Sequence, residues 1–390
     1  MMFGDRGISN FEEDKLNFEK VINSLYESIE YLYNLQKGAV IAIIGSWGIG
    51  KTSALNLLSK KYNIGESNSP IFKLDAVDYS DFKYLIFEVL KIINKRFLPL
   101  DNNEIRELFF KFTSLSLFTL DIISNFYDSP LLKIIGNILK VSKNTIEHLP
   151  EESLSEIKGQ LKEKLKGKSK KLIIVIDDID RMDSKEFLAV LKLIREFAEL
   201  PNIFFILSIS EESIAKNQQF ISKYIEFPFY FPALNLESFL RDFLNTYMEF
   251  LGLQQDEQDE RKKNEIVILL LNTYIKTPRD IKRLINTLYM ERELYKNVYI
   301  YDLILLTSIK VFDIESYIKI RNWILYKDAD EDSLAILLER ISLESEIILS
   351  YIFESSVNID NFHLRKQKHF YIKDFRKNYF TYEQGSEDRS

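Results

Sequence analysis

The apolar run Ala39-Val40-Ile41-Ala42-Ile43-Ile44 passes directly into Gly45-Ser46-Trp47-Gly48-Ile49-Gly50-Lys51-Thr52, and Ser53-Ala54-Leu55-Asn56-Leu57-Leu58 continues with helical character. Strand, glycine loop and helix start thus stand in the order that a G-x-x-x-x-G-K-[ST] phosphate-binding loop requires. Glycines let successive N–H groups turn inward around an anion, where Cβ atoms would crowd it. The helix N-terminus adds the positive end of its dipole. Residues Gly45 to Ser53 are therefore expected to cradle the phosphates of a nucleoside triphosphate. Lys51 is expected to reach the β- and γ-phosphates, and the Thr52 hydroxyl to ligate Mg2+. Trp47 is expected to pack the loop in place rather than to read the base.

The second necessary part is an acid at a strand end. Leu172-Ile173-Ile174-Val175-Ile176 is apolar on both faces, as a central parallel strand requires, and it ends in Asp177-Asp178-Ile179-Asp180-Arg181. Asp177 fits the role of holding the Mg2+ water shell opposite Thr52, and Asp178 that of orienting or deprotonating an attacking water. The plainer reading is that acids merely mark a solvated strand boundary. Arg181 has two readings: a local pair with Asp180 or Asp183, or an arginine finger reaching a neighbouring subunit's γ-phosphate. Ser208 and Ser210 close the strand that follows, as γ-phosphate sensors or as ordinary strand-end serines. In Thr277-Pro278-Arg279-Asp280-Ile281-Lys282-Arg283, two arginines four apart share a helical face. A salt-bridged surface is one account; an Arg279 that contacts phosphate and reports nucleotide state is the other.

These motifs fall into an organised chain. Residues 14–35 place Phe18, Ile22, Leu25, Ile29 and Leu32 on one helical face. Strand patterns at 39–44, 71–76, 172–176 and 203–207 alternate with helical ones such as 81–96 and 184–199, which predicts an α/β fold with a doubly wound, mainly parallel sheet. Residues 98–150 read as a helical insert, most simply a buried hairpin over 108–141, with a membrane-surface or partner-binding hairpin as the alternative. Residues 151–171 read as a lysine- and glutamate-rich helix ending in a solvated connector. The expected domains are a core over 1–235, a lid-like helical domain over 236–310, where Pro278 suits a helix's first turn, and a helical region over 311–390.

Composition narrows the function further. The 390 residues include no cysteine, so disulfides, thiolate zinc sites and cysteine nucleophiles are excluded. A net charge of −7 argues against a protein that coats nucleic acid non-specifically. One candidate nucleic-acid segment stands out at 363–377, where Arg365, Lys366, Lys368, Lys373, Arg376 and Lys377 mix with aromatics; a solvated helix face is the alternative. No secretory signal and no long apolar span is evident, so a cytoplasmic location is expected. His148, His363 and His369 show no metal spacing.

The loop Gly45–Thr52 with its tryptophan, the Asp177-Asp178-Ile179-Asp180-Arg181 run and Thr277-Pro278-Arg279…Lys282-Arg283…Asn286 together resemble the KAP family of P-loop NTPases. Asp5-Arg6…Ile8…Glu13-Asp14-Lys15-Leu16 looks like that family's opening segment, and Phe375…Tyr379-Phe380 like an element near its end. Val77 stands where the family usually has tryptophan, and Ser210 where it often has aspartate. The resemblance implies a sheet of the additional-strand type followed by an all-helical region. It also implies ATP-driven conformational switching, membrane-associated assemblies in some members and phage exclusion in others. No Asn-Lys-x-Asp motif is present, so ATP is the expected nucleotide and ATP hydrolysis the expected activity, with self-association or an effector protein downstream. An ATP-dependent assembly scaffold with negligible turnover and a nucleic-acid-handling motor are the alternatives.

Overall fold

The computed structural model describes residues 7–354, apart from 15, 64–68, 80, 99–101, 121, 123–129, 143–144, 147–149, 151, 168–169, 251–257, 292–298 and 327–330. The segment 363–377, Asp5-Arg6, Lys15 and Phe375…Tyr379-Phe380 lie outside the described residues. The chain divides into two compact units, one over Gly7–Ala233 and one from Leu234 onward.

The first unit is an α/β layer structure. Its elements are α1 (Glu19–Asn34), β1 (Ala39–Ile44), α2 (Lys51–Asn63), β2 (Ile71–Asp75), α3 (Phe82–Arg96), α4 (Asn103–Thr119), α5 (Pro130–Leu139), α6 (Leu154–Leu165), β3 (Leu172–Asp177), α7 (Ser184–Ala198), β4 (Ile203–Ile209), α8 (Glu211–Tyr224) and β5 (Phe227–Tyr230). The sheet order is β2-β3-β4-β1-β5, and every pairing is parallel. Strand β4 is inserted between β1 and β3, which is the additional-strand arrangement. Strands β1, β3 and β4 are buried along their whole length, because helices cover both faces. Burial of each such Ile or Leu contributes about 1.5–3 kcal/mol, so these strands hold the sheet edge rigidly.

Helix α1 buries Phe18, Ile22, Leu25 and Ile29, each 3% exposed or less, as its periodicity predicts. Helix α4 is buried around most of its circumference: Phe109 stacks on Phe197 of α7 at 5.9 Å and Phe112 meets the same ring edge-on at 5.8 Å. Phe109, Phe110 and Phe112 of this helix thus lie in the core while Phe118 is exposed, and no helix among the described residues is long and apolar enough to cross a membrane. Helix α6 is the expected lysine- and glutamate-rich helix, and it carries a buried face as well. Ile157, Leu161 and Leu165 are fully buried, while Lys158 pairs with Glu196 and Glu199 at 2.9 and 3.1 Å and Lys164 with Glu104 at 2.6 Å. Its charges are the outer face of an amphipathic helix whose inner face is core. Strand β5 has no counterpart in the sequence pattern. It is short, mostly exposed and contains Pro228, which an edge strand tolerates because no further ladder needs that N–H.

The second unit is helical over its described residues: α9 (Leu236–Phe250), α10 (Gln258–Leu271), α11 (Pro278–Glu291), α12 (Ile300–Phe312), α13 (Ile314–Tyr326), α14 (Glu331–Leu338) and α15 (Leu343–Glu354). One apolar core runs from Leu240 to Ile352. Helix α11 begins at Pro278, and Asp280 closes its first turn by accepting from the N–H groups of Lys276 and Thr277 at 3.1 and 2.9 Å.

Candidate functional site

Parallel strands bring their carboxyl ends to one edge, and there the loop after β1 meets the acids after β3. The loop is shaped by close packing. Gly50 has φ +113°, and a Cβ there would stand 2.5 Å from the Phe18 ring; a Cβ on Gly45 would stand 2.9 Å from Phe231 Cβ. Lys51 is the first residue of α2 and 7% exposed. Its ammonium donates to the carbonyl oxygens of Gly45 at 2.6 Å and Ser46 at 3.1 Å, so the charge lies at the loop itself. Burial lowers the Lys51 pKa, with Asp180, Asp178 and Asp177 pulling the other way. Thr52 and Ser53 follow on the same helical turn, and the Ser53 hydroxyl accepts from the Ile8 N–H at 3.2 Å.

Asp177 ends β3, 1% exposed and in register with Asp75 of β2. Its carboxylate pairs with Lys73 Nζ at 3.0 Å. Lys73 also donates to Asn56 Oδ1 at 2.9 Å, and Asn56 Nδ2 donates to the Ile8 carbonyl at 3.3 Å. A chain of contacts thus joins Asp177 to α2 and to the segment at Ile8. Nothing in the motif pattern pointed to Lys73; only the β2–β3 pairing puts it there.

Asp178 has φ 52° and ψ 33°, a left-handed conformation that costs a non-glycine residue about 1 kcal/mol. The backbone reverses at this residue as β3 gives way to the turn Ile179–Arg181. Burial first, and then Asp177, hold the Asp178 carboxyl above the usual range, with Arg181 opposing. Arg181 pairs with Asp178 at 2.8 Å, not with Asp180 or Asp183, because the tight turn folds it back over the strand end. The same guanidinium lies 5.9 Å from the centre of the Trp47 ring. Trp47 is 53% exposed, and Arg181 covers part of its ring.

The serines after β3's neighbour separate. Ser210 donates to Asp180 Oδ2 at 2.5 Å and accepts from the Ser213 N–H at 3.3 Å, so it fastens the start of α8 to the acidic turn. Ser208 is 1% exposed, and its hydroxyl has no hydrogen-bond partner among the described residues. It lies one residue past Leu207, whose partner Ile176 precedes Asp177, and it is level with Ile43 of β1. That hydroxyl is a buried polar group left unsatisfied near the carboxyl ends of the strands. The Ser46 hydroxyl donates to Glu211 at 3.1 Å, tying the loop to α8 as well. Arg279 is on the first turn of α11, in the second unit. Arg283 is engaged within that unit, donating to the Val311 carbonyl at 3.2 Å and lying over the Phe312 ring.

The site can therefore offer a cation at the loop, hard oxygen donors, and a carboxyl of raised pKa. The chain is similar to several known proteins. The Phage T7 exclusion protein of Escherichia coli (strain K12) is 24% identical over 344 residues, which is 79% of this chain and 46% of that protein. The chain thus spans about half the length of that curated relative. Among solved structures, the Aeropyrum pernix ORC2 protein in its ADP form is 14% identical, with a TM-score of 0.37 over 86% of this chain and 85% of that one. Drosophila ORC bound to DNA is 14% identical, with a TM-score of 0.39 over 90% and 88%. The profile of the KAP family P-loop domain matches residues 18–295, from α1 to beyond α11. This chain belongs to the KAP family of P-loop NTPases.

Proposed function

We propose that the chain is an ATP-hydrolysing conformational switch that works in the cytoplasm in defence against phage. The observation that carries the reading is the shared sheet edge, where loop 45–52 after β1 and Asp177-Asp178 after β3 flank the inserted strand β4. In this reading the N–H groups of Gly45 to Ser53 hold the phosphates, and Lys51 exchanges its carbonyl partners for phosphate oxygens. Thr52 and Asp177 supply the oxygen donors that Mg2+ prefers, and the unpartnered Ser208 hydroxyl adds to the polar lining. Bound Mg2+ would supply charge neutralisation on the phosphates. Asp178 takes the proton of the attacking water, a task helped by its raised pKa. Arg279 reports nucleotide state to the helical unit, and Arg181 either holds Asp178 or, released from it, meets a neighbouring subunit's phosphate.

Support for the defence role comes from the name of the E. coli relative, a phage exclusion protein. A second copy of the chain or an effector protein is the partner that switching would address. The test is nucleotide binding and steady-state ATP turnover. Lys51→Ala is expected to weaken ATP binding at least a hundredfold, and with it to remove most of the ~2.7 kcal/mol of stabilisation that ligand at a hundred times Kd confers. Normal hydrolysis by Lys51→Ala would refute the site. Binding without turnover, at every protein concentration tried, would replace the switch by an ATP-dependent assembly scaffold.

A further inference from the structure

At the amino ends of β2 and β3, opposite the phosphate-loop edge, the first unit has an open cleft of about 360 Å³. Four of its described lining residues are cations and none is acidic, on a chain whose net charge is −7. Three tyrosines face it as well. Tyr26 and Tyr33 are seven apart on α1 and share its face, while Tyr62 from the last turn of α2 meets Tyr26 with ring centres 4.9 Å apart. Cations lie on these rings: Lys61 Nζ is 4.8 Å from the centre of Tyr26, and Lys171 Nζ is 4.4 Å from Tyr33 and 5.6 Å from Tyr62. Glu30 sets this geometry from behind. It accepts from Lys171 at 2.6 Å and from the Tyr62 hydroxyl at 3.0 Å.

A simpler account covers part of this. The last turns of α2 and α3 carry Lys60, Lys61, Lys95 and Arg96, and cations near helix C-termini are favoured by the dipole whatever else they do. The helix dipole does not account for Lys170 and Lys171, which precede a strand, nor for three tyrosines around one cleft. Aromatic faces beside long cationic side chains are the combination that holds a base and its phosphate together. The volume is at the lower end of the ~300–1,000 Å³ usual for small-molecule sites, enough for one nucleotide unit.

We propose that this cleft is a second nucleotide-unit site, separate from loop 45–52, in which a base stacks on Tyr26 or Tyr33 and Lys61 and Lys170 meet its phosphate, while Lys171 stays on Glu30. The unit is either part of a single-stranded nucleic acid or a free nucleotide. The test uses the full chain carrying Lys51→Ala, so that the phosphate loop is set aside and its own reading stands or falls separately. Fluorescence anisotropy follows a labelled oligothymidylate, and direct titration calorimetry follows thymidine monophosphate. Binding of the oligonucleotide that weakens with salt assigns the strand; binding of the monophosphate alone assigns the free nucleotide. In either case Tyr33→Ala and Lys170→Glu are each expected to weaken binding about tenfold. Lys170 is exposed, so Lys170→Glu is expected to leave the melting temperature unchanged and decides the matter even if Tyr33→Ala folds poorly. Binding of neither probe, or binding indifferent to Lys170→Glu, overturns the proposal.

Discussion

Asp178 and Asp313 are both partly buried aspartates at a junction between two elements, and their surroundings act on them in opposite directions. Asp178, in the α/β unit, adopts a left-handed backbone and has its carboxyl raised by burial and by Asp177, with one arginine against it. Asp313, between α12 and α13 in the helical unit, accepts from the Ser316 N–H at 3.1 Å and from the hydroxyls of Ser342 and Ser345 at 2.5 and 2.8 Å. Burial alone would raise Asp313, but these donors prevail and hold it at about 2. The first carboxylate is under-satisfied and the second over-satisfied. An acid that must accept a proton in a reaction has to be left with basicity to spare, whereas an acid that only joins elements gains from every donor.

The sharpest way to break this contrast is Asp178→Asn. Turnover is expected to fall by about 10²–10⁴ while ATP binding persists, since the amide keeps the shape but cannot take the proton. Stability should move the other way. A folded pKa above the unfolded one means the protonated form is the favoured one in the fold, so its contribution is lost as pH rises from the unfolded value through the raised folded value. At neutral pH, Asn removes a disfavoured charge, and the melting temperature of the nucleotide-free protein should hold or rise. A melting temperature several degrees lower would make Asp178 a structural acid like Asp313.

Lys73→Met tests how the same edge tolerates its acids. The pair with Asp177 is largely buried, at 26% and 2% side-chain exposure. Removing its cation leaves a buried carboxylate uncompensated, a loss of about 3 kcal/mol. Mg2+ with ATP would return positive charge to Asp177, so the variant should regain more of its melting temperature on their addition than the unmodified chain does. Equal melting of both proteins in a chelator would show that the pair contributes nothing.

How much of this could be read in advance depended on whether the signal was local. Gly45–Thr52 and Asp177–Arg181 are contiguous, and their strands are apolar on both faces, so loop, acids and central strands were legible from the residues. Lys73 was not, because its role depends on β2 lying beside β3 in a register that no short window encodes. The Arg181–Asp178 pair needed the left-handed turn, which an aspartate adopts without announcing it as glycine would. Strand β5 was missed because Phe227-Pro228-Phe229-Tyr230 carries a proline and faces mostly outward, the opposite of the buried strands beside it. Helix α6 was legible as a helix from its lysines and glutamates, but its buried face of three residues spaced at four was not read from them.

The smaller effect belongs to Asp313. Its folded pKa is depressed, so its stabilisation is fully present above the unfolded value near 3.9 and is lost as pH falls from there through about 2. Asp313→Asn should therefore remove about 1–2 kcal/mol at neutral pH, discounted for partial exposure, and much less near pH 2. Thermal melts of both proteins between pH 2 and pH 7 measure the difference, which should shrink on acidification. Because Ser345 also bonds the Tyr274 hydroxyl at 2.6 Å, the amide disturbs a junction of the turn after α10 with α12, α13 and α15 rather than one contact. Turnover at a temperature where both proteins are folded should be unaffected by chemistry at Asp313 itself. A pH-independent stability loss would instead mean that the node works by shape, and the electrostatic half of the contrast with Asp178 would fall.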